Sequence, residues 1–303
     1  MPRHRPRLVW GEYARPRHDE TAPSVEVTLL SRLVPALLAA SLLFAVPGHS
    51  SAAEQPSDTA LPACPEIFAH GGYPVGPNPW ERDQVRQPNN PTALADYRAK
   101  GAVGVEADVQ LTRDGTKAVM WHNDTSNALT GSKAPINTLW WNAGTDKLNG
   151  RTLKVGPYQG EVVHTLRQYL DAIHGLAMVP LIEIKGAAKQ SLLHSDSAIR
   201  NRAWSELLDP VAERIERQEI MLYTHDAALR PELAERAAAA GLAQVVAGGP
   251  HRPVWPDTVD WQEPPPSWQG NEASWQTALA KQPRRIATDW PAELATWLTG
   301  RCQ

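Results

Sequence analysis

The chain lacks an excess of charge of either sign: 30 Lys and Arg stand against 33 Asp and Glu, for a formal net charge of −3. That balance removes the main electrostatic reason to expect a nucleic acid as partner. The apolar run at 33–46 (LVPALLAASLLFAV) has 14 residues, too few for a bilayer span of about 20. Cysteine is nearly missing, with only Cys64 and Cys302 among 303 residues, and there is no internal repeat. What remains is the composition of an ordinary globular protein with a sizeable core, 42% hydrophobic and 21% charged.

Residues 1–26 carry Arg3, Arg5, Arg7, Arg15 and Arg17 among prolines, without an apolar period, and read as a disordered basic segment. The run at 33–46 follows Arg32 and precedes Pro47-Gly48. Its length suits the core of a secretory signal peptide, with Ser51-Ala52-Ala53 as the small residues of a cleavage site. The expectation is a leader over 1–53, cleaved near Ala53, and a secreted domain over 54–303. Because the basic stretch is long for a leader, translation is expected to begin near Val27. The 250 residues of 54–303 are a typical length for one TIM (β/α)8 barrel. In a barrel the first strand starts, and the last helix ends, at the bottom face. Cys64 and Cys302 should therefore meet, and export permits a disulfide between them.

Strand-like and helix-like stretches alternate along this domain. Strands are expected at 66–70, 103–109, 118–122, 179–185, 221–225, 244–249 and 284–289. Helices are expected at 92–101, 162–173, 203–218, 228–241 and 291–300. Two long connections stand out. Residues 123–160, rich in Asn, Gly and Thr, suggest a lid or small insertion. Residues 250–270 are proline-rich and hold Trp255, Trp261 and Trp268, an ordered loop or a rim touching substrate.

The chemistry is concentrated in GVEADVQ (104–110). Val105, Ala107 and Val109 alternate with Glu106 and Asp108, and residues two apart on a strand share a face. A strand that buries its apolar side on outer helices turns both carboxylates into the barrel. In VPLIEIK (179–185), Ile182 and Ile184 oppose Glu183 and Lys185 in the same way, and His70 ends the first strand. All stand near C-terminal strand ends, where barrels carry function. Three inward carboxylates need cationic company that one lysine cannot supply, so a divalent metal is expected. Oxygen ligands favour Mg²⁺ or Ca²⁺ over zinc.

Asp114-Gly115 marks a tight turn. A three-residue loop at 113–115 sets Thr112 across from Thr116 and Glu106 across from His122; a one-residue slip turns His122 away. Two histidines at such a site suit acid/base work near neutral pH. His225, in YTHD at another strand end, is a further residue of interest.

Assembled, these pieces resemble the glycerophosphodiester phosphodiesterase family. They are His70-Gly71-Gly72, Gly104-Val105-Glu106-Ala107-Asp108-Val109, Thr112-Arg113-Asp114-Gly115, His122-Asn123-Asp124, Ile182-Glu183-Ile184-Lys185 and Thr288-Asp289-Trp290-Pro291. The resemblance implies a TIM barrel with an insertion after the second histidine segment, where 123–160 stands. It implies Glu106, Asp108 and Glu183 as metal ligands, His70 and His122 as the acid/base pair and Lys185 as a phosphate contact. The reaction implied is hydrolysis of a glycerophosphodiester to glycerol 3-phosphate and an alcohol. Two positions depart from the family: Gly71 replaces an arginine, and Asn89 replaces a glutamate, offering a carbonyl oxygen without charge. Two other readings stay open. One is a lipid phosphodiesterase resembling sphingomyelinase D, with the Trp-rich loop in transient contact with a membrane surface; the other is a non-catalytic barrel that binds phosphodiesters.

Overall fold

The computed structural model describes residues 63–70, 89–126, 130–131, 133–154, 158–247, 253 and 272–303. The chain divides into two compact units, Met1–Ser57 and Asp58–Gln303, and every described residue belongs to the second. The expected leader, Gly71-Gly72 and most of the 250–270 loop, its three tryptophans included, lie outside the described residues.

Alternation of short apolar strands with amphipathic segments gives a mainly parallel sheet with helices packed on one side. The elements are β1 (Glu66–Ala69), α1 (Leu94–Ala99), β2 (Gly104–Leu111), β3 (Ala118–Met120), α2 (Leu166–Gly175), β4 (Val179–Ile184), α3 (Lys189–Leu192), α4 (Ser197–Ala212), β5 (Met221–Tyr223), α5 (Leu229–Ala239), α6 (Glu272–Leu279), β6 (Arg285–Thr288) and α7 (Pro291–Leu298). The strand order is β5-β4-β2-β1-β6, with β3 hydrogen-bonded antiparallel to β2. All other neighbours are parallel, and the sheet curls as half of a barrel.

Val105, Ala107, Val109 and Leu111 of β2 join Ile182, Ile184 and Leu222 in a core against Tyr97, Leu166, Leu170, Leu207 and Leu229 of the helices. On the other side of the strands, Phe68, Leu181, Met221, Tyr223 and Ala287 cluster as a floor inside the barrel. Parallel register sets Phe68 level with Gly104, and a Cβ at Gly104 would lie 2.4 Å from the Phe68 ring. Glycine is what lets that ring fill the interior. Below it, the Arg285 guanidinium stacks 5.3 Å from Phe68 and pairs with Glu66 at 2.6 Å and Glu219 at 2.8 Å.

Several boundaries differ from the sequence reading. Helix α4 starts at Ser197 rather than near 203 because Asp196 caps it, its carboxylate accepting from Ala198 N. Helix α2 starts at Leu166, where Thr165 and Gln168 form a capping box. Of the expected strand at 244–249, the described residues, up to Ala247, form a 3-10 turn over Ala243–Val245 and a parallel bridge, Val246 to Leu222. Helix α6 was not anticipated, although Trp275, Ala278 and Leu279 have helical spacing and are buried. Among the described residues of 123–160, Ile136, Leu139, Leu148 and Leu153 pack with Val119, Trp121 and Val163 in a separate cluster. As expected, Cys64 and Cys302 are disulfide-bonded, with Cα atoms 4.9 Å apart.

The turn between β2 and β3 is one residue longer than expected. Pairs are Val109 with Met120, Gln110 with Val119 and Leu111 with Ala118; Thr112 N also donates to Lys117 O at 2.9 Å, which leaves the four residues 113–116 in the turn. Asp114 and Gly115 both take left-handed backbone, with φ of 54° and 64°, which absorbs the extra residue. That register, extended, would set His122 beside Ala107 rather than Glu106. Pairing stops at Met120, however, and residues 122–124 are bends.

Candidate active site

Register brings the site together row by row. In β1, Ala69 is level with Val105 and Thr288, so the next residue, His70, reaches the level of Glu106 and Asp289. Further along, Asp108, Glu183 and Tyr223 are level across β2, β4 and β5. Side-chain alternation points all of them into the barrel, above the apolar floor.

One ligand oxygen from each of Glu106, Asp108 and Glu183 lies within 4.8 Å of the others, and all three residues are buried. Oxygens bound to one cation at 2.3–2.6 Å are separated by at most about 5 Å, so this triad fits a single divalent ion. Its oxygens have other company too. Tyr223 Oη donates to Glu106 Oε1 at 2.8 Å. Lys185 Nζ lies 3.3 Å from both Asp108 Oδ1 and Glu183 Oε2. Asn89 Nδ2 donates to Asp108 Oδ2 at 3.0 Å, and Asn89 Oδ1 accepts from Asp108 N at 2.7 Å. The carbonyl oxygen that the sequence suggested as a metal donor is thus engaged by the backbone of a neighbour.

Burial dominates the electrostatics. It pushes the Glu183 carboxyl above its ordinary range, Lys185 pulls it back, and Asp108 pushes it up again. For Lys185, burial alone would lower the pKa, but Asp108, Glu183 and Glu106 outweigh it and raise the value. Lys185 is therefore a firm cation. The Tyr223 phenol is held well above its ordinary pKa by burial and then by Glu106, Glu183 and Asp108, so it stays a donor.

His70 Nδ1 donates to Asp289 Oδ1 at 2.8 Å, which leaves Nε2 facing Glu106 Oε2 at 3.8 Å. His122 is tied to the same face of β2: Gln110 Nε2 donates to the carbonyls of Trp121, His122 and Asn123 at 3.2, 3.2 and 2.5 Å. Its Nδ1 donates to Asn123 Oδ1 at 2.6 Å. His225 is exposed at the rim, edge-on to Tyr223 with ring centroids 5.4 Å apart. The structure therefore gathers His70, Glu106, Asp108, Glu183 and Lys185 at one mouth, while His122 is linked to β2 through its backbone carbonyl, which accepts from Gln110. Sequence reasoning noted Asp289 only as part of the Thr288-Asp289-Trp290-Pro291 segment, without a role, and missed Tyr223. The signal was present, because Asp289 ends β6 as His70 ends β1, and Tyr223 alternates with Leu222 as Glu183 does with Ile182.

The C-terminal mouth of the half-barrel thus carries a cation-sized acidic triad beside a carboxylate-held imidazole. Residues 87–277 match the glycerophosphoryl diester phosphodiesterase family, and the chain belongs to that family. Among solved structures, the fold is similar to a phosphodiesterase of Oleispira antarctica in complex with the product sn-glycerol-3-phosphate. That likeness has 16% identity, covers 78% of this chain and 97% of the other, and has a TM-score of 0.50. A Silicibacter pomeroyi protein described as a glycerophosphoryl diester phosphodiesterase is similar at 17% identity, over 79% of this chain and 95% of its own, with a TM-score of 0.53. These likenesses show the TIM-barrel fold. No curated protein matches the chain.

Proposed function

We propose that this chain is an exported, divalent-cation-dependent enzyme that hydrolyses small glycerophosphodiesters to glycerol 3-phosphate and an alcohol. The observation that carries this reading is the convergence of Glu106, Asp108 and Glu183 with Lys185 and His70 in one buried mouth. The product held by the Oleispira antarctica phosphodiesterase is in keeping with that substrate class. Export is supported by the run at 33–46 ahead of Ser51-Ala52-Ala53, and by the disulfide, a bond that persists in oxidising compartments.

Glu106, Asp108 and Glu183 would hold Mg²⁺ or Ca²⁺, which when bound supplies positive charge to the phosphoryl oxygens. Lys185, between Asp108 and Glu183, adds a second cation for the phosphate. Asp289 holds the proton of His70 on Nδ1, so that Nε2, on the side of Glu106, is the nitrogen that moves a proton. One imidazole takes the proton of the attacking hydroxyl, either water or the substrate's own neighbouring group. The other imidazole, with His122 in this role, returns a proton to the departing alkoxide. If the substrate hydroxyl attacks, a cyclic phosphate forms, and water then opens it with the two histidines exchanging roles.

The test is incubation with glycerophosphocholine, with added Mg²⁺ or Ca²⁺ and after chelation. Release of glycerol 3-phosphate and choline that chelator abolishes and either cation restores is expected. Turnover unaffected by chelator would overturn the cation's part in the reading, and no turnover of any glycerophosphodiester would overturn the substrate class.

A further inference from the structure

The amide of Asn89 stands at the edge of the acidic triad, and both of its ends are turned on one residue. Asp108 N–H is only a donor, so the Asn89 atom 2.7 Å from it must be the carbonyl oxygen. The amide nitrogen is thereby directed to Asp108 Oδ2 at 3.0 Å. Asn89 is 6% exposed and Asp108 3%, so neither bond competes freely with water. On its own side, Asn89 is followed by Asn90, whose carbonyl accepts from Ala93 N where the 3-10 turn at Pro91–Ala93 leads into α1. The amide is anchored at one end by that turn and at the other by β2.

We infer that Asn89 is a positioning residue for the cation site: it clamps Asp108 by backbone and carboxylate together and contributes no ligand itself. Asp108 Oδ2 accepts from the amide, and Oδ1 lies 3.3 Å from Lys185 Nζ. A carboxylate held in this way offers one oxygen in a fixed direction. The acidic side of the site is then limited to three carboxylates, against which one divalent ion and Lys185 balance without a large residue of charge. An amide at position 89, unlike a carboxylate, also donates to Asp108 and spares the triad a fourth negative charge in a buried place.

The inference rests on the cation reading above, and two substitutions separate its failure from the failure of that reading. Asn89→Ala removes both ties, and calorimetric titration with Ca²⁺ or Mg²⁺ should show affinity reduced by about 10–100-fold, the usual effect of losing a group that orients a ligand. Asn89→Asp keeps the acceptor but sets a carboxylate against Asp108 Oδ2. In chelator, this variant should melt below wild type, and added cation should raise its melting temperature by more than it raises that of wild type. Were Asn89 a ligand, Asn89→Asp would bind cation more tightly with no loss of melting temperature in chelator, and that result overturns the inference. Unchanged affinity in Asn89→Ala overturns it too. If wild type shows no cation-induced stabilisation, the cation reading fails, while the clamp still stands or falls on the melting of Asn89→Asp in chelator.

Discussion

His70 shares its two ring nitrogens between carboxylates that arrive from opposite sides of β1, Asp289 from β6 and Glu106 from β2. Only one of those contacts is of hydrogen-bond length, so the proton is placed by Asp289. His70→Ala should lower kcat by about 10²–10⁴, the range for losing a positioned acid or base. Asp289→Ala should lower kcat by less, with KM for glycerophosphocholine little changed. A His70→Ala variant of full activity removes that ring from the reaction. Glu183 offers a test that needs no substrate. Its carboxyl is raised above the ordinary 4.5 chiefly by burial, so the native state prefers the protonated form. That contribution is full below the unfolded pKa and is lost as pH rises through the raised native value. In chelator, Glu183→Gln should melt above wild type at pH 7 and converge with it near pH 4. The reverse order would mean that Lys185 outweighs burial. The acids themselves were readable in the sequence because each interrupts an apolar alternation. Asp289 and Tyr223 were harder to read, since their function depends on a neighbour from a distant strand.

At the scale of elements, β2 carries two of the three triad carboxylates, and its inner face changes character along its length. Gly104 makes room for Phe68, Glu106 and Asp108 follow, and Gln110 gathers the turn that carries His122. Gly104→Ala places a methyl 2.4 Å from an aromatic ring that is 0% exposed. Overpacking of that kind costs about 1–3 kcal/mol. Thermal or urea unfolding should show the loss, and trimming the ring in a Gly104→Ala/Phe68→Leu double variant should recover part of it. If Gly104→Ala alone is as stable as wild type, Phe68 does not depend on that glycine. The faces of β2 and β4 were legible because their period of two is strict. The β2–β3 register was not, because an Asp-Gly pair accommodates loops of different length, and a one-residue difference shows only once Asp114 and Gly115 adopt left-handed backbone. Helix α6 was missed for a related reason: its three buried residues follow a proline-rich stretch, and their spacing is too brief to stand out there.

Taken as a molecule, residues 63–303 are closed at the end away from the chemistry. Cys64 stands two residues before β1, and His70 directly after it, so the disulfide and the site are at opposite ends of the same strand. The bond to Cys302 spans 238 residues of sequence, and Cys64 N also donates to Gln303 O at 3.1 Å. This closure could be read from the sequence, since it follows from barrel topology and the position of two cysteines. The cluster of Ile136, Leu139, Leu148 and Leu153 with Trp121 could not, because these apolar residues are spaced by bends rather than by a helix or strand period. A link that long removes much of the freedom of the unfolded chain, and cutting it should cost about 2–5 kcal/mol. The Cys64→Ser/Cys302→Ser pair should therefore unfold at clearly lower urea concentration than wild type. Well below that transition, its kcat and its cation affinity should match wild type, because Cys64 and His70 stand at opposite ends of β1. A variant that kept its stability would show that the termini are held by packing around Trp275 and Trp297; one that lost cation affinity while still folded would show that strand β1 transmits strain from its start to His70.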